Sequence, residues 1–247
     1  MILSSRLRVP LATALAVLAV VCAGCGGPVA PATHVLSEGF PADFPFAAYE
    51  ESAGRVYRFS ETGSELLITV YRDGPLARFG HDHVVHHLSP GGMIVVPPSI
   101  SDVRADLFVA VTEFVVDDPE RREEAGFDTE PSPEDIAGTR ANMLGPRVLN
   151  ATDYPFLRVS VENVTGDLPE VVLALAITLG GATTRMSAPA TVQLGDCSLS
   201  VAAAMALRQS DLGLEPFSVL GGALRVADGF DVRLRLHAES LDDTCGV

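Results

Sequence analysis

The chain has 247 residues and a formal charge of −15, and 47% of its residues are hydrophobic. This length and composition suit one large domain with a sizeable buried core. An acidic surface repels phosphate groups, so nucleic acid is excluded as a partner, and so is docking on anionic membranes through basic residues.

The N-terminus has the pattern of an export signal. Arg6 and Arg8 precede an apolar stretch at residues 9–21. This stretch has the length of a signal-peptide core and is short for a membrane span. We therefore predict a signal peptide over residues 1–24, removed in the mature protein, and a location outside the cytoplasm in the cell envelope. Without these residues the formal charge is −17, because they carry two arginines and no acidic residue.

The cleavage region resembles the lipobox of bacterial lipoproteins. Ala23 and Gly24 precede Cys25, although Cys22 stands where that pattern usually has Leu. We expect a lipid on Cys25 that anchors the protein to a membrane; an ordinary secretory signal with incidental cysteines is the alternative. Residues 25–52 are rich in Pro, Ala and Gly, so they are interpreted as a flexible tether, with the folded domain over residues 53–247.

The remaining chain alternates between apolar and polar residues, as β-strands do. The clearest case is the C-terminal run, where Val232, Leu234, Leu236 and Ala238 share one face. Turn pairs separate several runs, and Asp228-Gly229 predicts a hairpin between the last two. The predicted strands are residues 55–60, 65–72, 93–96, 104–116, 156–164, 171–179, 184–194, 198–207, 224–227 and 230–238. Their lengths and turns favour an antiparallel barrel or sandwich.

One helix interrupts this pattern. Ser132 suits the N-cap, Pro133 the first helical position, and Asp135 lies three residues after the cap. We predict a helix to Leu144, ended by Gly145-Pro146, that covers one mouth of a barrel.

Residues 171–179 are apolar on both faces. Val172, Ala174, Ala176 and Thr178 form the second face, and their small side chains would leave room for a ligand inside a barrel. The alternative is that a helix covers this strand.

Two cysteines remain beyond the N-terminal region, Cys197 and Cys245. A pair of cysteines in an oxidising compartment predicts a disulfide that ties the C-terminal tail to the start of a strand. Two free thiols are the alternative.

Five segments, in order, resemble the YceI-like family of exported proteins. The first includes a Gly-His-Asp-His motif, and the second places Tyr154-Pro155 between a helix end and a strand. The segments are residues 64–83, 143–161, 178–184, 206–214 and 222–238. Together they span about residues 55–240, which is nearly the whole mature domain.

The resemblance implies an all-β, extended, lipocalin-like antiparallel barrel with one or two short helical insertions. It also implies that a polyisoprenoid-like or other long-chain apolar ligand binds in the interior, so that the protein acts as a carrier or sensor. Inward apolar positions of the best strands are the predicted pocket residues: Leu67, Val70, Leu107, Val109, Leu173, Leu175, Val201, Leu234 and Leu236. A homodimer is left open.

Four of the six histidines lie within seven residues, at His81, His83, His86 and His87. Side chains alternate along a strand, so His81 and His83 would share a face and could bind Zn²⁺ or Cu²⁺ with His86 or His87 as a third ligand. The alternatives are that the histidines form hydrogen bonds around the barrel mouth, orient a ligand's polar head, or act as a pH-sensitive gate.

Motifs for covalent chemistry are missing from the sequence. It contains no Gly-x-Ser-x-Gly elbow, no Walker loop and no dinucleotide-binding fingerprint. We therefore predict a binding protein and no enzyme. Metal binding in the cell envelope through the histidine cluster is the second hypothesis.

Overall fold

A computed structural model describes residues 39–245, apart from the side chain of Asp243. The predicted signal peptide, Cys25 and the first part of the predicted tether lie outside the described residues. The described chain forms twelve strands in one antiparallel sheet and three α-helices. The strands are β1 Arg55–Phe59, β2 Glu65–Asp73, β3 His83–His87, β4 Gly91–Val96, β5 Arg104–Ala110, β6 Val115–Val116, β7 Phe156–Asp167, β8 Glu170–Leu179, β9 Ala182–Leu194, β10 Ser198–Arg208, β11 Ser218–Val219 and β12 Leu224–Ser240. The helices are α1 Phe46–Glu50, α2 Pro119–Glu124 and α3 Pro133–Leu144.

The sheet closes on itself. Its hydrogen-bonded order is β1-β4-β5-β7-β8-β9-β10-β12, and β12 pairs back to β1. β12 is long enough to pair with β2 over Arg225–Arg235 and with β1 over Ala238–Ser240. Beyond β12 and β2, β2 pairs with β3 and β3 pairs with β6. Three positions of the barrel are therefore each filled by two consecutive strand segments: β1 and β2, β3 and β4, and β5 and β6. The predicted all-β antiparallel barrel with short helical insertions is confirmed.

The strand pairing defines two ends of the barrel. The upper end consists of the β4–β5 loop at residues 97–103, the β7–β8 turn and the β9–β10 turn. The lower end consists of residues 74–82, the β8–β9 turn and the segment at residues 209–223. α3 packs at the lower end, where Ile136, Met143 and Leu144 contact the core.

Alternation places apolar side chains inside the barrel. On β12, Phe230, Leu236 and Ala238 are buried while Arg233 and Arg235 are exposed, as the sequence predicts. The lower half is filled by a cluster that includes Leu66, Val85, Phe114, Ile177 and Phe230. The upper half contains a second cluster and encloses less densely filled space.

The predicted α3 has the bounds and cap that the sequence indicates. Ser132 Oγ accepts a hydrogen bond from the Asp135 backbone N–H, and Asp135 accepts one from the Ser132 backbone N–H. This capping box satisfies amides that the first helical turn leaves without partners.

The predicted hairpin at Asp228-Gly229 is wrong. β12 continues through both residues, and Gly229 lies opposite Arg208 of β10. On the side that pairs with β2, residues 227–229 of β12 lie opposite the single residue Tyr71. These extra residues form a β-bulge in β12. Asp228 accepts hydrogen bonds from Ser210 N–H and Oγ–H, so its side chain ties β12 to the neighbouring segment and does not support a turn.

The predicted strand over residues 104–116 is interrupted. A 3₁₀ turn at Val111–Glu113 separates β5, which pairs with β4 and β7, from β6, which pairs with β3. The sequence-based prediction missed this break because apolar residues lie on both sides of it, although Thr112 and Glu113 within it are polar.

Part of the predicted tether is folded. Phe40, Phe44 and Tyr49 pack with Phe108 on the outer face of β5, and the Tyr49 hydroxyl donates a 2.8 Å hydrogen bond to Asp106 Oδ2. The aromatic residues around α1 therefore belong to the barrel domain. No helix within residues 39–245 has the length and apolarity to cross a bilayer.

Candidate ligand cavity and lower cleft

A cavity of about 240 Å³ lies in the upper half of the barrel. Its wall consists of Ile, Val, Leu, Ala, Met and Pro side chains, which come from seven strands, the β4–β5 loop and the β7–β8 turn. Within the described residues no aromatic or polar side chain lines it. An aliphatic wall of this kind offers dispersion contacts and burial and provides no side-chain hydrogen bond.

Small side chains create this space. Ala105, Ala188 and Ala203 face the cavity from β5, β9 and β10, and Ala188 is almost fully buried. β9 and β10 pair only between Thr191–Leu194 and Leu199–Ala202, so their remaining halves are not hydrogen-bonded to each other. The cavity is therefore bordered by three short side chains and lies beside the end of the β9–β10 ladder.

The cavity reaches the surface at the upper end. Leu168 and Leu194 line it and are 45% and 44% exposed. Pro97 and Pro98 of the β4–β5 loop also line it. A disulfide between Cys197 and Cys245 holds the β9–β10 turn to the C-terminal segment beside this opening.

Six of the nine predicted pocket residues line the cavity: Leu107, Leu173, Leu175, Val201, Leu234 and Leu236. Val109 is fully buried in the lower core, and Val70 borders a separate cleft at the lower end. Leu67 is on the outer face of β2, because its neighbour Leu66 is the residue that enters the core. These three positions therefore do not line the upper cavity.

The small face of β8 is also oriented opposite to the prediction. Val172 is 43% exposed, whereas Leu173 and Leu175 point inward. The sequence-based prediction missed Ala188, Ala203 and the β4–β5 loop residues Pro97 and Ile100. A signal was available for the loop, since Pro97, Pro98 and Ile100 are apolar residues in a connection between strands.

The four histidines do not form one metal-ligand set. The pairing of β2 with β3 places His83 and His87 on the inner face and His86 on the outer face beside Leu67. Residues 39–245 contain no group of three His, Cys, Asp or Glu side chains that could hold a metal ion. The predicted three-histidine arrangement fails because the strand alternation continues through Val84 and Val85.

His87 and His86 have contrasting environments. His87 Nδ1 accepts a hydrogen bond from the Ser89 N–H, so the ring proton is on Nε2, which donates to Glu113 at 3.2 Å. His86 is buried, its Nδ1 has no partner among the described residues, and burial lowers its pKa. Neither ring is directed into the upper cavity.

His83 belongs to a buried ionic network. Asp117 is fully buried and accepts hydrogen bonds from His83 Nδ1 at 2.6 Å, Val84 N–H at 3.1 Å and Arg122 Nη1 at 2.6 Å. Burial alone would raise the pKa of Asp117, but these donors lower it below its usual value. The carboxylate therefore holds the His83 proton on Nδ1.

A second cavity, called here the lower cleft, has a volume of about 570 Å³. Val70 and Val85 of the barrel, α3 and the chain around Phe217 form its walls. His81 and His83 also line it, and their ring centroids lie 6.3 Å apart. The lower cleft thus differs from the upper cavity by combining apolar and titratable side chains.

Comparisons with known proteins support the fold. Neither a protein-family model nor a curated protein matches the sequence. BcnA of Burkholderia cenocepacia has a similar structure, with a TM-score of 0.54 and 11% identity over 72% of this chain and 98% of BcnA. A YceI protein of Campylobacter jejuni aligns with a TM-score of 0.45 and 11% identity over 62% of this chain and 82% of the YceI protein. This similarity is too distant to support the fold assignment. Fold and cavity together define a lipocalin-like antiparallel β-barrel, and they are consistent with a ligand-binding barrel.

Proposed function

We propose that the protein is an exported, lipid-anchored binding protein of the YceI-like type that holds an aliphatic segment of a long-chain apolar ligand in the upper cavity. A polyisoprenoid-like lipid is the proposed ligand class, and carrier or sensor the proposed role. The observation that carries the proposal is the wall of the upper cavity, which is built from aliphatic side chains. Such a wall favours hydrocarbon over any polar solute.

The volume sets how much of the ligand is enclosed. An apolar cavity of roughly 150 Å³ accepts benzene, so about 240 Å³ corresponds to roughly ten carbon atoms. Each buried methylene contributes about 0.8 kcal/mol, or roughly 8 kcal/mol before the cost of association. The rest of a longer chain would leave through the opening beside Leu168 and Leu194, with its polar head in solvent.

Two features support export. The disulfide between Cys197 and Cys245 is typical of an oxidising compartment. The sequence before Cys25 matches a lipoprotein signal in its order of charged, apolar and small residues. We expect the mature wild-type protein to incorporate radiolabelled palmitate and the Cys25→Ser variant to lack the label; equal labelling would refute an anchor on Cys25.

Filling the cavity tests the binding site. Ala203 of β10 points into the cavity, and Ala204 next to it is exposed on the outer face. We expect Ala203→Phe to weaken the binding of decanol at least tenfold in isothermal titration, because the ring occupies space that the alkyl chain needs.

Ala204→Phe is the matched control, with the same substitution on the same strand. It should bind decanol as the wild type does. Equal affinity for decanol in both folded variants would show that the upper cavity is not the binding site.

A further inference from the structure

The lower cleft lies at the opposite end of the barrel from the upper cavity and has the size of a small-molecule site, which is typically about 300–1,000 Å³. We propose that it is a second binding site, for an amphipathic organic cation with an apolar body and an ammonium group. This proposal does not depend on the ligand of the upper cavity.

The imidazoles supply hydrogen-bond acceptors. Asp117 holds the His83 proton on Nδ1, so neutral His83 presents Nε2 as an acceptor. His81 packs edge-on against His83, and its buried Nδ1 has no hydrogen-bond partner within residues 39–245. His81 Nδ1 has almost no accessible surface, so Nε2 of His83 is the acceptor that a ligand in the cleft can reach.

The charges of the lower cleft favour a cation. Arg72 is paired with Asp82 and Asp128, and Arg225 with Asp73, which neutralises both arginines. Glu134 and Asp135 line the same cleft at the start of α3, and no arginine pairs with either in the described part of the chain. Arg78 and Arg147 stack on Phe79 and Phe217 of the cleft wall, so four arginines stand against five carboxylates in and around the cleft. The remaining charge is negative, so it attracts ammonium groups and repels carboxylates.

The apolar walls determine the rest of the ligand. Val70, Val85, Met143 and Val226 line the cleft where it meets the barrel core, and Phe217 adds an aromatic ring. A molecule with a ring or short alkyl body can bury that body here while its ammonium group lies near the histidines and Glu134.

The test compares 4-phenylbutylamine with 4-phenylbutyrate and 4-phenyl-1-butanol by isothermal titration at neutral pH. We expect the amine to bind at least tenfold more tightly than the carboxylate and more tightly than the alcohol. Glu134→Gln should weaken amine binding at least threefold. Glu120→Gln is the matched control, because Glu120 also follows a proline in the first turn of a helix and lies outside the cleft.

Three results would overturn the proposal: no amine binding, an amine no tighter than its two analogues, or equal effects of Glu134→Gln and Glu120→Gln. Titration of Ala203→Phe separates the two sites. Amine binding should be unchanged in this variant, and its loss would place the amine in the upper cavity and refute the second site. If decanol does not bind to the upper cavity, the amine test of the lower cleft remains valid.

Discussion

At the residue scale, the buried carboxylate of Asp117 accepts the hydrogen bonds that connect β3 to α2. It joins β3, through His83 and Val84, to α2, through Arg122, and both Asp117 and Arg122 are buried. Its φ of 56° lies in the left-handed region, which Asp and Asn tolerate better than most residues. Asn can therefore keep the backbone while removing the charge.

Asp117→Asn should lower the free energy of unfolding at pH 7 by about 3–5 kcal/mol, because Arg122 keeps a buried charge without its counter-ion. The folded-state pKa of Asp117 is lowered, so its stabilisation is present above the unfolded pKa of about 3.9 and is lost as pH falls through the folded value. Urea denaturation should show the difference between wild type and variant shrinking on acidification.

Asp43→Asn is the control for this substitution. Asp43 pairs with Arg158 but is 74% exposed, so its removal should cost less than about 1 kcal/mol. An Asp117→Asn variant no less stable than Asp43→Asn would contradict the role given to the buried network.

Single residues also show what sequence reasoning can reach. Alternation identified Leu234 and Leu236 as cavity residues, because the polar partners Arg233 and Arg235 mark the outer face. On β2 the neighbours Leu66 and Leu67 are both Leu, so alternation could not tell the inner face from the outer one. Only the register with β12 decides between them.

At the element scale, the strand boundaries that the sequence did not predict lie in the interrupted strands. β4 begins at Gly91, two residues before the predicted start, because glycines carry no strand signal. The structure requires glycine there, since a Cβ on Gly91 would lie 2.3 Å from Phe108 Cζ. The capped helix α3 was predictable because its signals are local, within residues 132–146.

The disulfide stabilises the upper end of the barrel. It closes a loop with a sequence separation of 48 residues and holds the C-terminal segment to the β9–β10 turn. A Cys197→Ala, Cys245→Ala double variant should lose about 2–4 kcal/mol of unfolding free energy, measured by guanidinium denaturation. Reducing agent should destabilise the wild type by a similar amount and leave the double variant unchanged; a variant as stable as oxidised wild type would contradict this account.

At the scale of the whole molecule, the barrel has two differently built halves. Large side chains such as Phe114 and Phe230 pack the lower half, and alanines leave the upper half partly hollow. Closure depends on β12 reaching both β2 and β1, which are long-range pairings that no local pattern reveals. The barrel class was nevertheless predictable from strand lengths and family resemblance, whereas the position and size of the cavity were not.

We expect the upper cavity to enclose about ten carbons of an aliphatic chain. Isothermal titration of the wild type with n-alkanols of increasing chain length measures this number. Each added methylene should tighten binding about fourfold, as expected for roughly 0.8 kcal/mol, until the chain reaches about ten carbons, after which affinity should level off. Affinity that does not depend on chain length, or no binding at any length, would contradict the account.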